Sequence, residues 1–323
     1  MAENKERLFD QFPEVSYAEW RAKVEADLKG ADFNKKLVWR TNEGFDVQPV
    51  YRAEDIADFK TTDSLPGQYP YVRGTRTDND WLTRQDIIAE TAEEANKTAL
   101  DVLTKGVTSL GFKVAAPEDV ATLLNGIALD KVEINLTCCP GKVVEVAKAL
   151  VAAVEAAGAK DTFRGSIDYN PLRRQFRHGV EGVDAAAIAA KACELLDVVA
   201  PVPALRCLTV DSDILANAGA FIYQELGYAL AWGAQWMTLL TDAGRTAEEV
   251  AMRIKFNMCV SSNFFMEIAK FRAARMLWAQ IVKQYGADEA AAKMLVNATT
   301  SRFNQTIYDA HVNLLRSQTE TFS

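Results

Sequence analysis

The chain has 323 residues, enough to bury a large core either as one α/β domain with an arm or as two smaller domains. Hydrophobic residues make up 49% and charged residues 25%, which excludes a disordered chain, a coiled coil and a collagen-like repeat. The net charge is −8 and no basic cluster lies among aromatic residues. We therefore expect neither nucleic acid nor an anionic membrane as a partner.

Several features of the sequence indicate the cellular compartment in which the protein is expected. The longest apolar runs are too short to span a bilayer, and the charged residues 1–7 lack the apolar core of a secretion signal. The five cysteines are odd in number and form no C-x-x-C pair, which favours free thiols in a reducing cytoplasm. With two histidines and no carboxylate cluster, the sequence predicts no metal site.

Residues 1–80 differ in character from the rest of the chain. Ser16 can cap an amphipathic helix that ends near Leu28, and residues 36–40 are predicted to form a short strand. An extended stretch rich in proline and tyrosine follows, through Tyr71. Because such a segment cannot hold a core of its own, we expect an N-terminal helical and extended arm that contacts another subunit.

From residue 81 onward, short apolar strands alternate with helices, many of them rich in alanine. The predicted strands are 81–86, 108–114, 132–137, 162–168, 205–210, 253–259 and 294–299. The predicted helices include 91–105, 117–125, 142–157, 185–197, 214–231 and 262–285. This alternation indicates a parallel sheet, and the lack of a Gly-x-Gly-x-x-Gly turn favours a barrel over a dinucleotide-binding sheet.

The predicted fold is α/β, of the (β/α)8 TIM-barrel type, over residues 81–323 and truncated after its seventh strand. An open barrel of seven parallel strands exposes two unpaired edges. Truncation is the favoured explanation, and an edge covered by another chain is the alternative.

One long string connects the sequence to a known family. Residues 264–286 read FFMEIAKFRAARMLWAQIVKQYG, which closely resembles a helix of the methylmalonyl-CoA mutase family. Apolar residues at helical spacing show that most of this string is packing. Residues 67–74, 81–85, 91–96 and 217–220 resemble further elements of the same family. The resemblance covers residues 36–320, and the start is similar to that of the family's small subunits.

The resemblance implies a role beside a catalytic chain. In the family, a large subunit threads coenzyme A through its barrel and uses adenosylcobalamin to interconvert methylmalonyl-CoA and succinyl-CoA. The small subunit is non-catalytic and pairs with the large one as a heterodimer. We therefore expect this chain to bind no cofactor, to support the large catalytic subunit, and to lack the C-terminal cobalamin-binding-like domain within the 323 residues.

The positions that carry chemistry in the family have changed. Ile214 falls on the position of the catalytic histidine, and isoleucine can neither donate a hydrogen bond nor carry a proton. A one-residue shift gives Asp213, whose carboxylate would repel an acidic substrate. Residues 75–80 are about four too few to hold the family's radical-site tyrosine. No catalytic residue is expected.

The remaining candidates form a degenerate pocket. Asp168 replaces a glutamine of the family, and the substrate-binding arginine falls near His178, in a stretch interpreted as a solvated loop. Arg84 and Gln85 match the family but can equally be strand residues that fill the barrel. His311 superficially resembles the histidine of a cobalamin-binding motif, with leucine in place of the motif's glycine.

Two alternatives remain open. The chain can be a competent acyl-CoA mutase of the same family with a reshaped pocket. It can also be an unrelated barrel lyase or aldolase, which would need a Schiff-base lysine, for which Lys113 on the second strand is the candidate.

Overall fold

The computed structural model describes residues 9, 11–179 and 184–322, with the side chains of Arg174 and His178 outside that description. The chain divides into two compact units, residues 1–59 and 60–323. The described part of the first unit holds small elements: helix α1 (Tyr17–Asp27), helix α2 (Phe33–Leu37), strands β1 (Trp39–Arg40) and β2 (Asp46–Val47), and a 3-10 turn (Ala53–Ile56). Strands β1 and β2 pair antiparallel.

The start of each helix in this unit follows from a side-chain cap. The hydroxyl of Ser16 accepts the backbone N–H of Glu19, and the Glu19 carboxylate accepts the backbone N–H of Ser16 in return. The predicted first helix is thus confirmed. The predicted strand 36–40 is wrong for its first half, because Asp32 accepts the backbone N–H of Lys35 and starts the helical turn of α2.

The second unit is built on one parallel sheet, which has seven strands within the described residues. These are β3 (Arg84–Ile87), β4 (Ser109–Lys113), β5 (Glu133–Thr137), β6 (Gly165–Tyr169), β7 (Leu205–Asp211), β8 (Ile254–Val260) and β9 (Val296–Thr300). They pair in sequence order, each with the next, from β3 to β9. The predicted α/β barrel-type fold is confirmed as an open arrangement in which β3 and β9 are the edges.

Helices connect the strands. They are α3 (Ala92–Leu103), α4 (Asp119–Leu124), α5 (Val143–Ala156), α6 (Pro171–His178), α7 (Ala185–Val199), α8 (Asp213–Asn217), α9 (Ile222–Asp242), α10 (Ala247–Arg253), α11 (Phe264–Gln284) and α12 (Ala310–Phe322). Within the described ranges, no helix is long and apolar enough to traverse a lipid bilayer.

Two predicted segments need correction. The Arg-rich stretch around His178 is the helix α6 and not a loop, because Pro171 occupies its first turn and Asn170 caps it by accepting the backbone N–H of Arg173. The predicted helix 214–231 is two helices, α8 and α9. They are separated at Gly219, whose φ of 98° lies in the left-handed region that ends helices.

The core lies between the sheet and its helices. Phe256 on β8 and Trp278 on α11 are both almost fully buried and meet edge to face, with ring centroids 4.8 Å apart. Helix α9 packs over them at Gly233, where an added Cβ would lie 2.6 Å from the Trp278 ring. Since residues alternate along β8, the side chains of Lys255 and Asn257 point to the opposite, interior face of the sheet.

Candidate functional site

The centre of the interior is an ion pair between two strands. Ser166 and Asp168 are two residues apart on β6 and share a face, and Lys255 lies two strands away on β8. The Lys255 ammonium is 2.6 Å from Asp168 Oδ1 and donates to Ser166 Oγ at 2.7 Å. Both charged side chains are largely buried. The lysine side chain therefore fills part of the interior between β6 and β8.

A chain of polar contacts continues from this pair toward the first strands. Ser166 Oγ donates to Asn135 Oδ1 at 2.7 Å, and Asn135 Nδ2 donates to Ser109 Oγ at 3.0 Å. Ser109 Oγ donates in turn to Glu133 Oε2 at 2.6 Å. Barrel interiors are ordinarily filled by branched apolar residues. This interior is instead filled by hydrogen-bonded polar side chains.

A second polar layer lies nearer the carboxyl ends of the strands. Asp211, buried at the end of β7, accepts from Asn170 Nδ2 at 2.8 Å and pairs with Arg173 Nη1 at 2.8 Å. Asn257 Nδ2 donates to the other Asp211 oxygen at 2.6 Å. Asn297 Nδ2 donates to Asn257 Oδ1 at 3.0 Å. Three neighbouring strands, β7, β8 and β9, are thereby linked to one another and to the start of α6 after β6.

The predicted pocket residues are only partly brought together. Arg84 Nη2 lies 2.8 Å from Asp86 Oδ1 over Gly111, where an added Cβ would clash with both side chains. Gln85 is exposed on the edge strand. The side chain of His178 lies outside the described residues. Of the predicted set, only Arg84 and Asp168 face the same interior.

Electrostatics hold the interior pair in its charged form. Burial alone would raise the pKa of Asp168, but the Lys255 ammonium outweighs burial, and Arg84 adds to its effect. The pKa of Asp168 therefore lies below its ordinary value. Lys255 is engaged by both Asp168 and Ser166, so its Nζ is directed at these two partners.

Comparison with known proteins places the chain in a family. The sequence profile of the family described as methylmalonyl-CoA mutase matches residues 40–117 and 107–323. This chain belongs to the methylmalonyl-CoA mutase family. Over its whole length it is 53% identical to the methylmalonyl-CoA mutase small subunit of Porphyromonas gingivalis and covers 53% of that protein.

More distant mutase relatives include both kinds of subunit. The Streptomyces virginiae small subunit is 32% identical across 96% of the chain and 52% of the relative. The large subunit of the same organism is 28% identical across 96% of the chain and 46% of the relative. The predicted resemblance to the small subunit of the mutase family is therefore confirmed. The chain spans about half the length of these relatives.

Ile214, predicted to stand at the histidine position of the mutases, is a packing residue. It lies on the short helix α8, partly buried, and contacts the apolar core. The adjacent Asp213 has one carboxylate oxygen without a hydrogen-bond partner in the described part of the chain. Burial, together with the charge of Asp211, raises the pKa of Asp213 to about 6.

The residues offered for cobalamin do not fit that cofactor. His311 lies exposed in the first turn of α12, and Asp309 accepts its backbone N–H at 2.9 Å. Asp309 thus caps the helix through the backbone of His311. A metal-binding histidine instead needs a partner that orients its imidazole ring. Among the described residues, no group of three or more histidine, cysteine, aspartate or glutamate side chains could hold a metal ion.

Lys113, the Schiff-base candidate of the aldolase alternative, is exposed at the end of β4. A Schiff-base lysine is activated by desolvation or by a second cation, and burial is missing at this position. The structure gives the lyase or aldolase alternative no support.

Sequence reasoning missed the lysine that dominates the interior. Lys255 and Asn257 stand two apart in the predicted strand 253–259, whose other residues after Arg253 are apolar. Period-two spacing of polar residues in a buried strand indicates an interior-facing pair, and this signal was available. Its partner Asp168 comes from a strand 87 residues earlier, and that pairing depends on the fold.

Proposed function

We propose that this chain is a non-catalytic subunit of methylmalonyl-CoA mutase, which pairs with a large catalytic chain and supports it. One observation carries the proposal: the buried Lys255–Asp168 pair, joined to Ser166, fills the interior where the family resemblance places the acyl-CoA chain. Ile214 at the predicted histidine position agrees with it, because this side chain packs against the core.

The interior is also costly to open. Separating Lys255 from Asp168 would leave a buried charge without its partner, which typically costs about 3 to 5 kcal/mol. A coenzyme A thioester would have to supply that free energy before it gained any contact of its own. We infer that the interior stays closed to acyl-CoA, which disfavours a competent mutase with a reshaped pocket.

The N-terminal unit has features of a surface made for a partner. In the described part of residues 1–59, Trp39 is 47% exposed and Phe45 is 51% exposed, on and beside the β1–β2 pair. Large exposed apolar side chains grouped in one segment are typical of protein interfaces. We propose that the arm, residues 1–80, contacts the large catalytic subunit, which would hold adenosylcobalamin in the assembly.

The free cysteines support a reducing compartment. All five thiols of the chain are free, including the adjacent Cys138 and Cys139. We place the protein in the cytoplasm on this ground. Burial raises the pKa of Cys138 to about 11, so its thiol stays protonated and unreactive at neutral pH.

Two assays test the proposal. The purified chain is incubated with adenosylcobalamin and methylmalonyl-CoA, and succinyl-CoA formation is followed with and without a large catalytic chain of the family. We expect no conversion by this chain alone and a stable complex with the large chain on size-exclusion chromatography. Turnover by the chain alone would overturn the non-catalytic role, and failure to form the complex would overturn the partnership.

One variant tests whether the missing histidine alone explains the lack of activity or whether the filled interior is also responsible. Ile214→His restores the side-chain type that the family uses but leaves Lys255 in place. We expect it to remain inactive and to bind no coenzyme A thioester in a calorimetric titration. Thioester binding by either protein would show that the interior is accessible.

A further inference from the structure

A cleft lies outside the polar interior, between the last strand and helix α11. Its volume is about 450 Å³, within the range of small-molecule sites. Val296, Ala298 and Thr300 of β9 line one side. Because Asn297 belongs to the interior network, alternation along β9 turns the side chains of Val296, Ala298 and Thr300 away from that network. Most of the β9 lining of the cleft therefore faces away from the interior, although Thr299, which also lines the cleft, has the same parity as Asn297.

Three arginine residues line the cleft. They are Arg73, which precedes the sheet, and Arg272 and Arg275, one turn apart on α11. None of the three takes part in an ion pair within the described residues. Arg275 Nε is buried without a hydrogen-bond partner in the same part of the chain. Burial, and then the nearby Arg272, lower the pKa of Arg275.

The cleft also has an acceptor at its other side. Glu320 of α12 is buried, and its Oε1 accepts from Asn304 Nδ2. Its second oxygen, Oε2, has no hydrogen-bond partner among the described residues. Burial raises the pKa of Glu320. Two residues that line the same cleft thus each carry one buried polar atom without a hydrogen-bond partner among the described residues.

We propose that this cleft binds a small oxyanion that also carries a hydroxyl group, of the class of phosphate monoesters and hydroxycarboxylates. Planar guanidinium groups bind carboxylate and phosphate oxygens through paired hydrogen bonds. Arg272 and Arg275 hold the anionic oxygens, and Glu320 Oε2 accepts the hydroxyl proton. Such a ligand supplies the anionic partner that these arginines lack and relieves the repulsion between neighbouring cations.

The alternative interpretation of this cleft is a cavity left by imperfect packing. A gap of that kind would be lined by apolar atoms, since a buried cation without a partner is unfavourable. The cleft has an apolar side, with Ile268 and Phe271, but the arginines line it as well. Arginine side chains that face an open cleft without carboxylate partners are typical of anion sites.

Calorimetric titration of the 323-residue chain tests the proposal. Inorganic phosphate is the first probe and malate the second, each against potassium chloride at matched ionic strength. We expect saturable phosphate binding that chloride does not reproduce. Malate binding would extend the ligand class to carboxylates, and no saturable heat with either probe would overturn the proposal, leaving the cleft as a packing gap or a contact for another protein segment.

Variants assign the binding to the cleft. Arg272→Gln/Arg275→Gln is expected to weaken phosphate binding by about tenfold or more, because two charge-assisted contacts are lost. Arg164→Gln removes an exposed arginine elsewhere and leaves the affinity unchanged. Arg275→Lys keeps the charge but lacks the planar guanidinium group. Its phosphate affinity should lie between that of the double variant and that of Arg164→Gln. Thermal melting of each variant confirms that it is folded, and equal affinity in the double variant and Arg164→Gln would contradict the assignment.

Glu320→Gln supplies a check that does not remove an arginine. The glutamine oxygen stays with Asn304 Nδ2, so the group at the Oε2 position becomes an N–H donor that can bind a phosphate oxygen, and a negative charge is removed from the cleft. Phosphate should therefore bind more tightly than to the unmodified chain. Unchanged or weaker binding would contradict the place given to Glu320. These experiments use the chain alone, so their outcome is independent of its role in the mutase.

Discussion

Buried charges occur on both faces of the sheet. The two groups differ in whether their residues match the family resemblance. Outside the sheet, Lys270 of α11 lies between the carboxylates of Glu225 and Glu267. Inside, Lys255 pairs with Asp168. The outer cluster contains two residues of the 264–286 string that resembles the mutases, whereas Asp168 stands where a family residue is predicted to be lost. This contrast agrees with the proposal that the framework of the family is retained while its interior has changed.

The outer cluster explains why a packing helix carries charged residues. Glu225 Oε1 accepts the backbone N–H of Cys259 at 2.8 Å, and Glu267 Oε1 accepts that of Ser261 at 3.0 Å. Both backbone groups lie at the carboxyl end of β8. Lys270 balances the two carboxylates, so the cluster ties α9 and α11 to the end of this strand. Glu267 Oε2 has the Lys270 ammonium as its ion-pair partner, so the three charged groups depend on one another.

The largest expected effect comes from removing the central cation. Lys270→Met leaves the Glu225 and Glu267 carboxylates buried without their cation. The free energy of unfolding should fall by about 3 to 5 kcal/mol. Urea denaturation at pH 7 measures it, with Lys283→Met as a matched control on the same helix, where the exposed pair with Glu289 is worth less than about 1 kcal/mol. Equal losses in the two variants would mean that the cluster does not stabilise the fold.

The interior pair should give a smaller effect, because Lys255 keeps Ser166 as an acceptor after Asp168→Asn. We expect a loss of about 2 to 3 kcal/mol at pH 7. The pKa of Asp168 is lowered in the folded chain, so its contribution is complete above the unfolded value, near 3.8, and declines as the pH falls through the lower folded value. The difference between the two proteins should therefore shrink in acid.

Denaturation of Asp168→Asn and the unmodified chain at pH 7 and pH 3 measures this shrinkage. Asp168→Leu/Lys255→Met is the companion variant, because replacing a buried pair by apolar residues of similar size is often close to neutral. It should recover most of the lost stability. A difference that stays constant with pH would show that Asp168 is not charged in the interior.

The sequence was sufficient for the framework and insufficient for the interior. Alternating strands and helices, read from local periodicity, located all strands of the sheet, because each strand is a short apolar run bounded by turns. The helix α6 was not predicted, because its charged residues were interpreted as a solvated loop and Asn170 was not recognised as a helix cap. The Lys255–Asp168 contact joins residues that are far apart in the chain. Local periodicity does not show which interior positions of different strands meet.

The end of β7 shows the same limit at a single position. Asp213 adjoins Ile214, which is predicted to stand at the histidine position of the family. Its pKa of about 6 arises first from burial, then from Asp211 and Glu225, with Arg173 acting against them. Since the folded chain holds this proton more tightly than the unfolded chain, stability should fall as the pH rises from about 4 to about 6. Asp213→Asn removes that loss and should stabilise the protein at pH 7 by on the order of 1 kcal/mol, after allowance for screening by solvent.

Thermal melting at pH 4 and pH 7 decides the sign, with Asp197→Asn as the control of opposite direction. The pKa of Asp197 is lowered by its hydrogen bond with Arg245, so this variant should be less stable at pH 7. If Asp213→Asn also melted lower at pH 7, the Asp213 carboxylate would have a stabilising partner at the strand ends. A stabilised variant would show instead that the Asp213 carboxylate lowers the free energy of unfolding at pH 7. This carboxylate would then be a destabilising polar group at the strand ends, beside the interior that the Lys255–Asp168 pair fills.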